Sequence, residues 1–133
     1  MFGKNSKPNG KIDSLIGAGT TIEGDVVFTG GLRIDGLVHG NVSASEEQPG
    51  TLVVSEHARI DGEIDVPHLF INGTVNGPIR SNAFLELQPC ARISGDVEYS
   101  AIEIHLGAII EGKLVHRGEA ATRAVELKIA SSH

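Results

Sequence analysis

The chain has 133 residues, a formal net charge of −6, 17 glycines, and only 4% aromatic residues with no Trp. That length holds one domain with a modest core. The acidic balance disfavours a nucleic-acid surface, which needs a basic face, and the scarcity of large rings argues against a globule built on aromatic anchors. The lone Cys90 excludes an internal disulfide framework and a Cys-rich zinc site, and is expected to be a small buried or half-buried residue.

The chain opens on MFGKNSKPNGK, and residues 1–13 are expected to form a disordered arm. Lys4, Lys7 and Lys11 meet no acid before Asp13, whereas the rest of the chain is acidic. No apolar run follows, as a secretory signal would require, and no stretch approaches the roughly eighteen apolar residues of a spanning helix. The expected location is therefore cytoplasmic. N-myristoylation is excluded because Phe2, not Gly, follows Met1.

From residue 14 to 117 one phrase recurs, [Ile/Val]-x-Gly-x-[Val/Ile/Leu]. It begins at Ile22, Val38, Ile60, Val75, Ile93 and Ile110, and is centred on Gly24, Gly40, Gly62, Gly77, Gly95 and Gly112. A second apolar column precedes it: Ile16, Ile34, Val54, Ile71, Leu87 and Ile104. From Ile34 onward a partner sits two residues earlier, at Leu32, Leu52, Leu69, Leu85 and Ile102. Alternation at period two, in segments too short for helices, predicts strands. The repeat of about 17 residues predicts a parallel β-helix, an all-β solenoid of about six windings, each pairing with the next at roughly 4.8 Å and together about 30 Å long. The glycines lie either where the backbone bends or at pinched, inward-facing spots; both readings are open at this point. One long step contains SASEEQPG, which reads as an inserted loop from Ser43 to Gly50.

A solenoid without polar caps exposes unpaired backbone groups and an apolar cross-section at each end. Ile16, Ile22 and Val26 at one end, and Ile110, Leu114 and Val115 at the other, are accordingly expected to form end-to-end contacts between chains. His39, His57, His68, His105, His116 and His133 form no metal-binding pair and read as solvated residues, with His39 and His105 pointing outward. Asp25, Asp61, Glu63, Asp96 and Glu111 flank the glycines and read as a solvated acidic face. No phosphate-binding Gly-rich loop and no calcium β-roll pattern is present, so no cofactor or metal is expected. The tail, residues 118–133, is ambiguous: Val125-Glu126-Leu127-Lys128-Ile129 alternates as a strand would, while Ala120, Ala121 and Ala124 favour helix.

The six-fold phrase, in TTIEGDVVFTGGLRIDGLVHGNV, ARIDGEI and GAIIEGKL, resembles the bactofilins, bacterial polymer-forming cytoskeletal proteins, and so does the opening Met1-Phe2-Gly3-Lys4. The resemblance implies a right-handed β-helix with flexible tails, and nonpolar filaments or sheets formed without nucleotide under the inner membrane. It implies as partners the chain itself, the membrane lipid surface through Phe2, Lys4 and Lys7, and cell-wall hydrolases or synthases, with a role in cell shape and no enzymatic activity. The rival reading is a hexapeptide acyltransferase, a trimeric left-handed β-helix. Ile16, Ile22, Phe28 and Ile34 keep its six-residue step, but position 40 is Gly and the register is lost.

Overall fold

Strands of two to four residues bury too little to stand alone, so they persist only when stacked. The computed structural model describes residues 12–47 and 49–117, and it stacks eighteen strands in six windings. The first winding holds β1 (Ser14–Ile16), β2 (Thr21–Glu23) and β3 (Val26–Phe28), and the second β4 (Gly31–Ile34), β5 (Leu37–His39) and β6 (Val42–Ala44). The third holds β7 (Thr51–Val54), β8 (Arg59–Asp61) and β9 (Ile64–Asp65); the fourth holds β10 (His68–Ile71), β11 (Thr74–Asn76) and β12 (Ile79–Ser81). The fifth holds β13 (Phe84–Leu87), β14 (Arg92–Ser94) and β15 (Val97–Tyr99); the sixth holds β16 (Ile102–Ile104), β17 (Ile109–Glu111) and β18 (Leu114–His116). Every third strand pairs in parallel, giving three six-stranded sheets around one core, the β-solenoid expected from the repeat.

The register follows the apolar columns. Ile16, Ile34, Val54, Ile71, Leu87 and Ile104 are successive partners in the first sheet. Ile22, Val38, Ile60, Val75, Ile93 and Ile110 align in the second, and Val26, Val42, Ile64, Ile79, Val97 and Leu114 in the third. In the middle windings these side chains are sealed, with Val38, Ile60, Ile64 and Val75 at 0% exposure.

The two readings of the repeat glycines resolve to a bend under close contact. Gly24 and Gly95 have φ of 131° and 147°, a region L side chains rarely adopt. A Cβ on Gly40, Gly62, Gly77, Gly95 or Gly112 would strike the carbonyl of the repeat glycine one winding earlier. The N–H groups of Gly24, Gly40, Gly62, Gly77 and Gly95 in turn continue the ladder upward, as from Gly40 to the Asp61 carbonyl at 3.0 Å.

Two expectations are corrected. The insertion does not begin at Ser43: Ser43 and Ala44 belong to β6, where Ser43 pairs with Asp65. Gly50 is also not part of a protruding loop. It is buried, and a Cβ there would meet Ala44 Cβ at 2.7 Å and the Phe28 ring at 3.2 Å, so the missing side chain makes room for Phe28. The loop is confined to residues between these limits, where Glu46, Glu47 and Pro49 are exposed. Cys90 is exposed rather than buried. It lies in a turn closed by the Ala91 N–H on the Gln88 carbonyl at 2.9 Å, and Ala91, at 0% exposure, takes the inward place.

Candidate functional site: the two end windings

An inward side chain in a middle winding has neighbours above and below. In the first and last windings it has them on one side only. Ile16, Ile22 and Val26 are therefore half-buried at one end; at the other, Ile110 is half-buried and Leu114 is 45% exposed. The strands β1, β2 and β3 are the free edges of the three sheets at one end, and β16, β17 and β18 at the other. An apolar cross-section framed by three open strand edges is a template for another winding.

Among the described residues, the exposed large hydrophobic side chains gather at these ends. Ile12 (38%), Leu15 (62%) and Val27 (69%) lie in or just before the first winding, and Ile104 (46%), Leu106 (94%), Ile109 (46%) and Leu114 in the last, but Leu15, Val27 and Ile109 stand in outward columns, beside Arg33, Ser43 and Arg92. Sequence reasoning placed Ile16, Ile22, Val26, Ile110 and Leu114 in the end faces. Val115, the sixth candidate, pairs with Glu98 and stands in the outward column of the third sheet. Ile102, Ile104 and Leu106 were not singled out, although Ile102 and Ile104 continue a recognised apolar column and are the last of it in the repeat region.

The prism sides differ in character from the ends. On the third sheet Arg80 lies 3.2 Å from Glu63, 3.6 Å from Asp65 and 3.6 Å from Glu98. On the second, Asp61 accepts from Asn76 Nδ2 at 2.8 Å, Arg59 Nε at 3.2 Å and His39 Nδ1 at 3.0 Å. These bonds, that from Asn76 first, hold the Asp61 carboxyl below its ordinary range. Asp61 is thus engaged by three side chains rather than simply solvated. Asp25 and Asp96 instead cap corners, accepting the backbone N–H of Asn41 at 2.9 Å and Lys113 at 3.0 Å.

His39 faces outward as expected, and so does His105, whose Nε2 donates to Glu86 at 2.8 Å and lies 3.3 Å from Glu103. These three side chains could ligate a metal ion by their spacing alone. Their mutual bonds already pair the imidazole with both carboxylates.

Phe2, Lys4 and Lys7, the candidate membrane contacts, lie outside the described residues, as do residues 118–133 and His133 among them. Among the described residues no helix is long and apolar enough to cross a membrane.

Residues 14–115 match the family described as "Bactofilin: Polymer-forming cytoskeletal". The chain is 28% identical over 102 residues to Bactofilin BacO of Myxococcus xanthus, an alignment covering 77% of this chain and 78% of that one. No solved structure matches the chain.

Proposed function

The chain belongs to the bactofilin family of polymer-forming cytoskeletal proteins, and from that premise we propose that it assembles end to end, without nucleotide, into nonpolar filaments or sheets on the inner face of the cell membrane. Residues 14–117 are the polymerising core, residues 1–13 a membrane-targeting arm through Phe2, Lys4 and Lys7, and residues 118–133 a C-terminal tail. The polymer is a scaffold for cell shape that localises cell-wall hydrolases or synthases, and it has no catalytic role of its own.

The observation that carries this reading is the open state of the two end windings, where three strand edges have no partner and the inward Ile104 and Leu114 stay exposed while the same columns are sealed in mid-prism. Burial of such side chains contributes roughly 1.5–3 kcal/mol each when complete. Stacking one end on another also supplies partners for three strand edges at once. No nucleotide-binding loop is needed to drive this, because the free energy lies in the faces themselves.

Electron microscopy of the purified chain at near-physiological salt, with no nucleotide added, tests the reading. Filaments or sheets are expected. A discrete trimer that binds coenzyme A would replace the proposal with the acyltransferase reading, and a monodisperse monomer at tens of micromolar would remove both.

A further inference from the structure

The two ends do not account for every apolar side chain that meets solvent. The first sheet turns Val53, Phe70 and Phe84 outward in three successive windings, all half-buried, with the Phe70 and Phe84 rings tilted against each other at 5.9 Å between centroids. In the same windings the other two sheets turn charged or polar residues outward, such as Arg59, Asp61 and Asn76 on the second and Asp65, Arg80 and Glu98 on the third. Along one outward column of the first sheet the order is Leu15, Arg33, Val53, Phe70, Glu86, Glu103. A cation thus stands on one side of an apolar pair and carboxylates on the other.

Run in reverse, this column meets its own complement. With the centre between Val53 and Phe70, Arg33 comes opposite Glu86 and Val53 opposite Phe70. In the neighbouring column of Gly31, Thr51, His68 and Phe84, the same reversal sets the Phe84 ring against Gly31, which has no side chain, and Thr51 against His68. Only the rim pair, Leu15 with Glu103, is unmatched.

We infer that the first sheet is the face on which a second copy of this chain docks side by side, with the two solenoid axes antiparallel and a twofold axis between the third and fourth windings. A parallel arrangement sets Arg33 on Arg33 and Glu86 on Glu86, and like charges oppose it. Arg33 has 50% of its side chain exposed, and among the described residues it is bonded through Nε alone, to Asp35 at 2.9 Å. Its terminal nitrogens are left for the partner's Glu86. Glu86 is held by His105 through Oε2 at 2.8 Å, which leaves Oε1 for the partner's Arg33. An anionic membrane is the weaker occupant, because Glu86 and Glu103 flank the patch and the chain carries a net charge of −6. The face measures about 24 Å by 13 Å, or about 300 Å², from six windings and four residues of strand. Stable complexes bury roughly 800 Å² per partner, so lone chains pair weakly. The inference therefore rests for its strength on the end-to-end assembly proposed above: a filament presents this face many times, and the contacts add.

Electron microscopy of the assembled full-length chain tests this, by counting filaments in pairs or sheets against single ones. Phe70→Thr/Phe84→Thr keeps strand-forming residues on the outer face; it is expected to leave filaments intact and to lower the paired fraction about tenfold, as loss of aromatic anchors does. Arg33→Glu and Glu86→Arg should each do the same, and Arg33→Glu/Glu86→Arg should restore pairing. Single filaments in the parent chain, or unchanged pairing in the threonine variant, would overturn the face. Unchanged pairing in the charge variants, or a double variant that stays single, would overturn the antiparallel register, since parallel pairing predicts neither loss nor rescue. Filaments that stay single throughout, with vesicle binding lost in the threonine variant, would assign the face to lipid instead. If no chain forms filaments, sedimentation at high concentration decides. A parent dimer that the threonine variant loses keeps the face while removing end-to-end assembly, and a monomer removes both.

Discussion

A methyl group on Gly62 would sit on the carbonyl of Gly40, whereas one on Gly24 finds nothing within 4 Å, because the first winding has no winding before it. The same substitution therefore has two costs. Gly62→Ala forces backbone against backbone in mid-prism and should lower stability by about 3 kcal/mol or more. Gly24→Ala carries only the strain of its φ of 131° and should cost about 1–2 kcal/mol. Denaturant melts of the two variants would separate them, and equal costs would mean that the contact between stacked glycines does not govern the column. Asp61 supplies a second residue-scale test. Its folded pKa is depressed by Asn76, Arg59 and His39, so its contribution to stability is present above the unfolded value, about pH 4, and is lost as pH falls through the folded value. Asp61→Asn should thus cost about 1 kcal/mol at pH 7, and the difference from the parent chain should close below about pH 4 in melts run across that range.

At the scale of strands and corners, the insertion between β6 and β7 is separable from the winding. Removing residues 46–49 leaves Ser45-Gly50-Thr51 leading to Leu52, the length of Thr29-Gly30-Gly31 leading to Leu32 at the same vertex. That deletion should change stability by less than about 1 kcal/mol, since a shorter loop costs little to close and the buried Gly50 under Phe28 is kept. Extending the deletion to Ser43 and Ala44 removes part of β6 and should unfold the second winding; circular dichroism melts of both deletions would show the contrast. The strands and their register were legible in the sequence because period-two apolar columns such as Ile22, Val38, Ile60 and Val75 admit one alignment. The corners were not. Between the first and second sheets, turns closed by Thr20, Ala58, Ala91 and Ala108 occur in four windings, and tight corners at Gly36 and Gly73 in the other two. A Cβ at Gly36 would strike the carbonyls of Gly17 and Thr20, and one at Gly73 those of Ser55 and Ala58. The phrases Ile34-Asp35-Gly36-Leu37-Val38 and Ile71-Asn72-Gly73-Thr74-Val75 carried that signal, but which winding a glycine must clear is visible only once windings are stacked. Cys90 was misplaced for the same reason: its neighbour Ala91 has the smaller side chain and takes the inward slot.

For the whole molecule, the proposal joins a weak arm to a repeating body. Burying Phe2 contributes about 1.5–3 kcal/mol, and Lys4 and Lys7 about 1 kcal/mol each beside an anionic surface, against the entropy of ordering the arm and the repulsion of an acidic core. One chain should be held marginally and a polymer firmly, because linked arms bind at high effective concentration. Phe2→Ala should release the protein from vesicles containing anionic lipid. So should Leu114→Arg, which buries a charge in the end face and leaves the arm intact. Co-sedimentation with vesicles checks both, and a verified monomer of Leu114→Arg that pelleted as well as the parent chain would contradict the avidity argument.

The central claim is that six windings continue from one chain into the next along a single axis, and the axial repeat of the polymer measures it. Six strand spacings give about 29 Å of rise per chain, or about 58 Å where chains alternate in direction. Power spectra from electron micrographs of the assembled protein should show one of these repeats together with a reflection near 4.8 Å along the filament axis. Strands running along the filament, or an axial repeat unrelated to multiples of about 29 Å, would contradict end-to-end stacking.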